Sequence, residues 1–597
     1  MSARNPGRSG TLNKKAGKKS PRQAQRPEVE SPVPLSPMAQ TLLLWGAFFL
    51  IGLFVYGPAL DGAFLSDDFH YVATNEYVHT PNVSNLIAIW NPQSEVTVLV
   101  ENYAPVHLML HSLEWQFFGS SVQGYHVVNI LLHALAAAML VSVYRRSRIG
   151  VWAAAAGAAF FFLHPANVES VAWISQIKSA SALVLSLGAL LLHARHPAPA
   201  LLLFALALLA KPFAAFALIV VVLFTWVRAA PNRDEGVAKA PAFPAHWGWL
   251  GAWLAVVLLY ASVESSAFSE SAAMTPPLYS DVWVRVLMIF SVALRYSWMS
   301  LSGRGLSTFH EPLPVSGLAD PFLIGGVLVV LLLGLWTGWA LLKRREEGVY
   351  LMWAAVSLAP LSGVIPLPYP MADRYLYFIL PGLIGAFLLG GARWSRGLAG
   401  RWELDLEKRK RIRAGAMVLL GLVLIHAGQL TYDRAHVFVS PESLMSDAER
   451  NYPEGVASST RRATRAAQQG RFDDAVRFLQ VARVRGYNRV DNLLQDPSFG
   501  PMQNHPDFVA IKHEMADDWI DRLSKKEDIS HYTARALAQA YIVKGRYADA
   551  AEVLEGAASR PGPIGDALQQ DAQDVRGEIA FRNRLKAAER ARKSNAP

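Results

Sequence analysis

The chain has no cysteine and few charges, and each shortage excludes something. Without cysteine there is no disulfide framework and no thiol chemistry in any compartment. Charged residues make up 17% of the chain and hydrophobic ones 52%, a balance too apolar for an ordinary soluble protein of 597 residues. Segments that alternate apolar and polar residues are missing too, which argues against an outer-membrane barrel.

Long apolar runs are what the chain does have. Runs of 16 to 22 residues recur from Gln40 to Leu430 and predict a polytopic, all-α membrane bundle. Eleven spans are expected, at about 40–60, 123–143, 150–164, 179–194, 198–210, 213–228, 247–264, 320–343, 350–366, 371–391 and 412–430. The pair flanking Lys211-Pro212 reads as two half-length helices or one kinked hairpin, because proline interrupts the helical ladder. Residues 283–301 carry Arg285 and Arg295 and fit an interfacial or re-entrant helix better than a span.

The net charge of +10 is unevenly placed. Residues 1–38 form a basic tail, with Lys14, Lys15, Lys18, Lys19 and four arginines among Pro, Ser and Gly; its composition predicts disorder. A nucleic-acid arm has such charge as well. In front of a membrane helix, the tail more simply fixes the N-terminus in the cytoplasm, and no nucleic-acid partner is expected. The tail is too long and polar for a signal-peptide n-region, so the first helix is expected to be retained. With 283–301 left uncrossed, Arg145, Arg146, Arg148, Arg195, Arg228, Arg233, Lys343, Arg344, Arg345 and the stretch 393–413 all fall on one side. Residues 61–122, 165–178, 265–319, 366–372 and everything after Leu430 then face the other. The Ala- and Arg-rich composition without cysteine suggests a bacterial inner membrane, with the C-terminal region periplasmic.

The membrane part is expected over 39–430, with the loop 61–122 and the segment 265–319 outside the bilayer. From Thr431 the composition becomes that of a soluble helical region, 431–597. Gly470-Arg471-Phe472-Asp473-Asp474-Ala475 and Gly545-Arg546-Tyr547-Ala548-Asp549-Ala550 each follow an Ala-rich helix and open another, the pattern of a tetratricopeptide-type hairpin. Their spacing of 75 residues leaves an irregular unit between them. Such repeats form a surface that binds polypeptide, or serve as a cap without a partner.

Polar motifs gather at the helix ends expected on the non-cytoplasmic face: Ser66-Asp67-Asp68, Asn102-Tyr103-Ala104-Pro105, Gly124-Tyr125-His126, His164-Pro165-Ala166-Asn167-Val168-Glu169-Ser170-Val171-Ala172-Trp173, Lys178, Lys211-Pro212 and Ala372-Asp373-Arg374-Tyr375. Adjacent carboxylates beside a bilayer are costly unless solvated, paired or used. Asp67 and Asp68 cap a loop helix or supply a base, and their mutual repulsion raises one of the two pKa values. Lys178 snorkels at a helix end or binds an anion. His164 and Glu169 contact a substrate or fix their own turn by bonding each other. His107, His111 and Glu114 share one helical face, a spacing compatible with a metal or with an amphipathic helix at the interface.

In their order along the chain, from about Phe64 to Leu389, these motifs resemble the C-type glycosyltransferases that use polyprenyl-phosphate sugars. The resemblance is to the transmembrane and tetratricopeptide-repeat O-mannosyltransferases and their bacterial relatives. It implies that Asp67 or Asp68 takes the proton of an acceptor hydroxyl. It implies that Arg374, Lys211 and Lys178 hold the departing phosphate. Tyr103, His126, His164, Glu169 and Tyr375 would line the substrates. A salt bridge between Arg374 and Asp373 is the competing use of that arginine, and a weak one, since adjacent helical residues do not face each other. Inversion at the anomeric carbon follows from a single displacement. The resemblance requires no cofactor, and a divalent metal is not excluded. The partners it implies are a polyprenyl-phosphate sugar, carrying mannose or a similar hexose, a polypeptide acceptor at the repeats and membrane lipid.

The chain departs from the pattern twice. Ala104 stands where relatives carry Arg, and Ser175-Gln176-Ile177-Lys178-Ser179 replaces a Ser-Glu-Arg-Lys-Asp stretch. These losses favour the rival reading, a non-catalytic scaffold whose repeats recruit an envelope partner. A transporter is disfavoured by the one-sided loops and by the lack of repeats in the membrane part.

Overall fold

The computed structural model describes residues 36–100, 102–229, 247–274, 279, 281–358, 371–401, 406–526, 529–559 and 565–594. The basic tail before Ser36 and the second half of the expected span 350–366 lie outside the described residues, as do parts of the segment 265–319 and of the loop 366–372. Among the described residues every regular element is helical.

Among the described residues, eight helices are long and apolar enough to cross a membrane: Met38–Val55, Val122–Arg146, Ile174–Leu192, Trp247–Ser265, Val282–Ser302, Pro321–Leu342, Asp373–Leu398 and Glu407–Phe438. A ninth is added if Val151–Phe162 and Pro165–Ala172, bent by 52°, count as one span. Eleven were expected, of which the span 350–366 is only half within the described residues. Pro197–Ala210 has 14 residues and Phe216–Arg228 has 13. At 1.5 Å per residue each covers about 20 Å, short of a hydrocarbon core of about 30 Å. Val282–Ser302, expected at the interface, is long and apolar enough to cross.

Local chemistry sets the helix ends. Ser36 caps the first helix, accepting from the Ala39 N–H at 3.2 Å, with Pro37 at the first helical position. Asp281 and Asp320 cap their helices the same way, each accepting from two backbone N–H groups. Pro321–Leu342 then lies so close to Val282–Ser302 that a Cβ on Gly326 would strike the Phe290 backbone, the close approach that small residues allow in membranes. Leu328, Leu331, Leu332 and Leu335 on Pro321–Leu342 and Met417, Val418, Leu419 and Ile425 on Leu406–Ala435 are exposed. Apolar stripes of this size suit lipid rather than water.

The basic helix ends meet at one end of the bundle. Arg145 donates to Gln40 at 3.1 Å, Arg228 pairs with Glu346 at 2.6 Å, Arg344 donates to the Trp226 carbonyl at 2.9 Å and Arg393 pairs with Glu347 at 2.5 Å. The polar motifs lie at the opposite ends of these same helices or in the turns beyond them.

After Leu406–Ala435 a second hydrophobic core forms from Ala463 to Val575. Val456–Gln468 packs on Phe472–Val484, and His531–Val543 on Tyr547–Ala558. Gly470 and Gly545, at φ +71° and +73°, make the tight turns in the left-handed region that favours glycine.

Candidate functional site

The two adjacent carboxylates have different surroundings. Ser66, at φ +44°, is left-handed, uncommon for a residue with a Cβ. In the turn it opens, Asp68 points inward and is fully buried. Its Oδ2 accepts from the Leu65 N–H at 2.8 Å and its Oδ1 from the Ser175 N–H at 2.7 Å. Trp173 donates its indole N–H to the Leu65 carbonyl at 3.1 Å. Asp68 therefore clasps the first loop to the 173–176 turn. Burial pushes its carboxyl up to about 7, against the lowering effect of the two N–H donors. Asp67 is only half-buried and accepts from the Ser66 hydroxyl at 3.2 Å. It is the carboxylate of the pair with an open side.

Three cations lie near the 173–176 segment that Asp68 grips. Lys211 precedes Pro212, and a residue in that position is steered away from helical backbone. Its φ/ψ of −159°/130° ends the helix and turns the side chain inward. There its Nζ donates to Ser179 Oγ at 2.6 Å and Gln176 Oε1 at 3.3 Å. Both acceptors are neutral, and no carboxylate lies within ion-pair distance among the described residues. Lys178 donates to the Tyr71 hydroxyl at 3.1 Å, with its Nζ 4.2 Å from that ring's centre. It lies within electrostatic range of Asp67, Asp68, Arg374 and Glu264.

Arg374 pairs with Glu169, 205 residues earlier in the chain, and its backbone N–H donates to the same carboxylate at 2.7 Å. The Glu169 side chain is 1% exposed and that of Arg374 is 20%. A guanidinium has five N–H donors, so this pairing leaves donors for a further anion. Arg374 also lies within electrostatic range of Asp67, and Lys211 within range of Lys178, Arg374 and Glu169. One carboxylate with an open side is thus within electrostatic range of two cations, Lys178 and Arg374, with Lys211 in range of both, a balance that can take a proton and stabilise an anion close by.

The other residues singled out in the sequence make these contacts within the surrounding helices and turns. His164 bonds the Ser300 carbonyl at 3.2 Å and the Ala166 N–H at 3.3 Å, so it stitches helix ends together and does not bond Glu169. Tyr103 donates to the Trp90 carbonyl at 2.9 Å, and its own N–H donates to Glu264 at 2.9 Å. Tyr375 stacks on Phe213 at 5.2 Å. His126 is buried against Gly62, neither ring nitrogen having a partner. His107 and His111 are fully buried, ring to ring at 4.6 Å, and His111 bonds Glu114 at 2.8 Å. Burial pushes the His111 imidazole down to about 3, holds His107 well below its ordinary value and raises the Glu114 carboxyl, so all three favour their neutral forms. No group of three or more potential ligands arranged to hold a metal occurs among the described residues.

Sequence reasoning missed a buried charge network behind Arg374. Asp373 does not pair with its neighbour. Its Oδ1 bonds His310 Nε2 at 2.7 Å and accepts from the Ser307 N–H at 3.2 Å. Its Oδ2 accepts from Arg434 at 2.9 Å, and Arg434 also reaches Asp447 at 2.8 Å. Tyr452 bonds His310 Nδ1 at 3.1 Å. The signal available in the sequence was the adjacency of Asp373 and Arg374, which places the two side chains on different sides of one turn.

Over 78 residues, 13% of this chain, the sequence is 38% identical to "Protein O-mannosyl-transferase Tmtc2" of Drosophila melanogaster. The matched stretch covers 8% of that protein's length. No protein-family model and no solved structure matches the chain. A short part of this chain, whose described residues are helical and include eight membrane-length helices, is thus similar to an O-mannosyltransferase.

Proposed function

We propose that the chain is an inverting glycosyltransferase that moves a hexose from a polyprenyl phosphate to a hydroxyl acceptor. The observation that carries this reading is the division within the acidic pair: Asp68 is clasped by two backbone N–H groups, while Asp67 keeps an open side within range of Lys178 and Arg374. In the reaction, Asp67 takes the acceptor's proton as its oxygen bonds the anomeric carbon. The bond from that carbon to the phosphate oxygen breaks, and the polyprenyl phosphate leaves with the electron pair. Lys178, Lys211 and the free donors of Arg374 stabilise the departing oxyanion. The acceptor enters opposite the phosphate, so configuration inverts.

The basic ends gathered at the far end of the bundle support an orientation in which that end is cytoplasmic, by the positive-inside rule. The site and the region after Leu430 are then non-cytoplasmic, in a bacterial inner membrane on our reading. The paired helices after Val456, with their glycine turns, support a tetratricopeptide-type region that presents a polypeptide carrying Ser or Thr. The test is transfer of a radiolabelled sugar from polyprenyl-phosphate mannose to protein by the purified full chain, with Asp67→Asn as control. Label transferred by the wild type and lost in the variant supports an enzyme. No transfer from polyprenyl-phosphate mannose or glucose refutes it and leaves the scaffold.

A further inference from the structure

Two open cavities of about 350 and 320 Å³ adjoin one another beside the site, sharing Arg295, Phe322 and Tyr452. The outer one reaches Gly455 and Arg485 in the C-terminal region. The inner one reaches His310 and Met371, three residues before Arg374. Together they form a cleft that starts on the C-terminal helices and ends at His310 and Met371.

The cleft's polar groups are incompletely used. The Arg295 guanidinium lies 4.0 Å from the Phe322 ring centre, and its Nε bonds Ser291 Oγ at a long 3.5 Å. It has no carboxylate partner among the described residues. Arg485 comes no closer than 4.0 Å to Glu454, which is 78% exposed. Glu311 is 3% exposed, and its Oε2 accepts from the Val456 N–H at the start of a helix. Its Oε1 is buried with no hydrogen-bond partner among the described residues. Gly455 makes room for it, since a Cβ there would strike Oε2. The remaining acid, Asp320, is occupied in capping its helix and in bonds to Ser316.

We propose that this cleft binds the acceptor as an extended polypeptide bearing a carboxylate near its Ser or Thr, a proposal that rests on the transferase reading above. An extended chain offers alternating N–H and C=O groups, matching one orphan acceptor, Glu311 Oε1, and the donors of Arg295. The carboxylate meets Arg295 and Arg485, the two cations of the cleft. Pro312, Pro314 and Pro453 form walls without N–H donors, so they do not compete for the peptide's carbonyls. Tyr452 lies in both cavities and bonds His310, which bonds Asp373. The occupant therefore touches the network that holds Arg374's turn.

The test is binding, read apart from transfer. Fluorescence anisotropy of a labelled peptide alternating Ser, Thr and Asp is measured on the full chain in nanodiscs, without donor, against the same peptide with Lys for Asp. The acidic peptide should bind, and the Lys peptide should bind at least about tenfold more weakly. Arg295→Met with Arg485→Met should remove that difference, and Arg295→Lys with Arg485→Lys should keep it. Equal affinity for both peptides overturns the proposal, as does a Met pair that binds like the wild type or displacement of the peptide by polyprenyl phosphate. Binding that passes these controls in a chain inactive in transfer leaves the cleft standing and refutes only the catalytic reading.

Discussion

Substituting Asp67 and Asp68 separately tests the division of labour in the acidic pair. Asp68→Asn replaces two accepting oxygens by one, because the amide's other end is a donor. One of the Leu65 and Ser175 N–H groups then faces an N–H₂ group in a fully buried position. A lost bond there costs about 1–3 kcal/mol, a factor of about 5 to 140 in the population of the docked loop. Asp67→Asn removes only the weak bond to the Ser66 hydroxyl and should leave the loop in place. It deletes the base, and transfer should fall about 10² to 10⁴-fold. Both quantities are measured on one preparation, sugar transfer to peptide and the rate of protease cleavage within 61–122. The expected pattern is slow transfer with a protected loop for Asp67→Asn, and faster cleavage for Asp68→Asn. Full transfer by Asp67→Asn, or slow transfer by Asp68→Asn with wild-type protection, would make Asp68 the base and refute the reasoning.

Three further outcomes follow from the buried charges. Arg374→Ala strands Glu169, 1% exposed, and should lower stability by about 3–5 kcal/mol in thermal unfolding; Arg374→Met with Glu169→Leu should recover most of that loss and restore no transfer. Arg434→Gln leaves Asp373 and Asp447 without their shared cation, so it should lower both the melting temperature and kcat, whereas Arg434→Lys should keep one of the two pairs and an intermediate kcat. Loop docking should depend on pH in two opposed ways. The Asp68 carboxyl is raised from 3.8 to about 7, so its contribution is full below about 4 and lost as pH rises through 7. The His111 imidazole is lowered from 6.5 to about 3, so its contribution is full above 6.5 and lost as pH falls toward 3. Asp68→Asn should remove the first slope and His111→Phe the second, both read by hydrogen exchange in the 61–122 loop.

Helix type and apolar character were legible because they are local properties: runs without charge, proline at the breaks, Asp and Ser at the caps. The span count was less so. Hydropathy treats Pro197–Ala210 and Phe216–Arg228 as spans, while the Lys211-Pro212 break leaves each about 10 Å too short to cross alone. Lys211, Lys178 and Arg374 stood out as charges in apolar surroundings; Lys178 and Arg374 lie within electrostatic range of Asp67, and Lys211 within range of those two. Their partners did not stand out. Glu169 and Arg374 are 205 residues apart, and Asp373 meets Arg434 across 61, separations over which spacing carries no information. The unequal roles of Asp67 and Asp68 depend on the left-handed turn at Ser66 and on a backbone N–H from Ser175. Backbone donors carry no residue signature.

The turn Asp373–Tyr375 joins the two halves of the molecule by facing both ways. Arg374 turns toward Glu169 and the site. Asp373 turns toward His310, Arg434 and, through Arg434, Asp447 at the start of the C-terminal region. Burying this many charges gives little net stability, because desolvation offsets most of the attraction. Replacement by apolar groups would hold the turn as firmly, yet it would not fix which way each side chain points. The charges do, since each misplaced one would stand unpaired at a cost of several kcal/mol. Arg374 is thereby set in place by a network that includes Arg434, on the helix leading into the C-terminal region, and a ligand pressing on Tyr452 would act on that setting through His310.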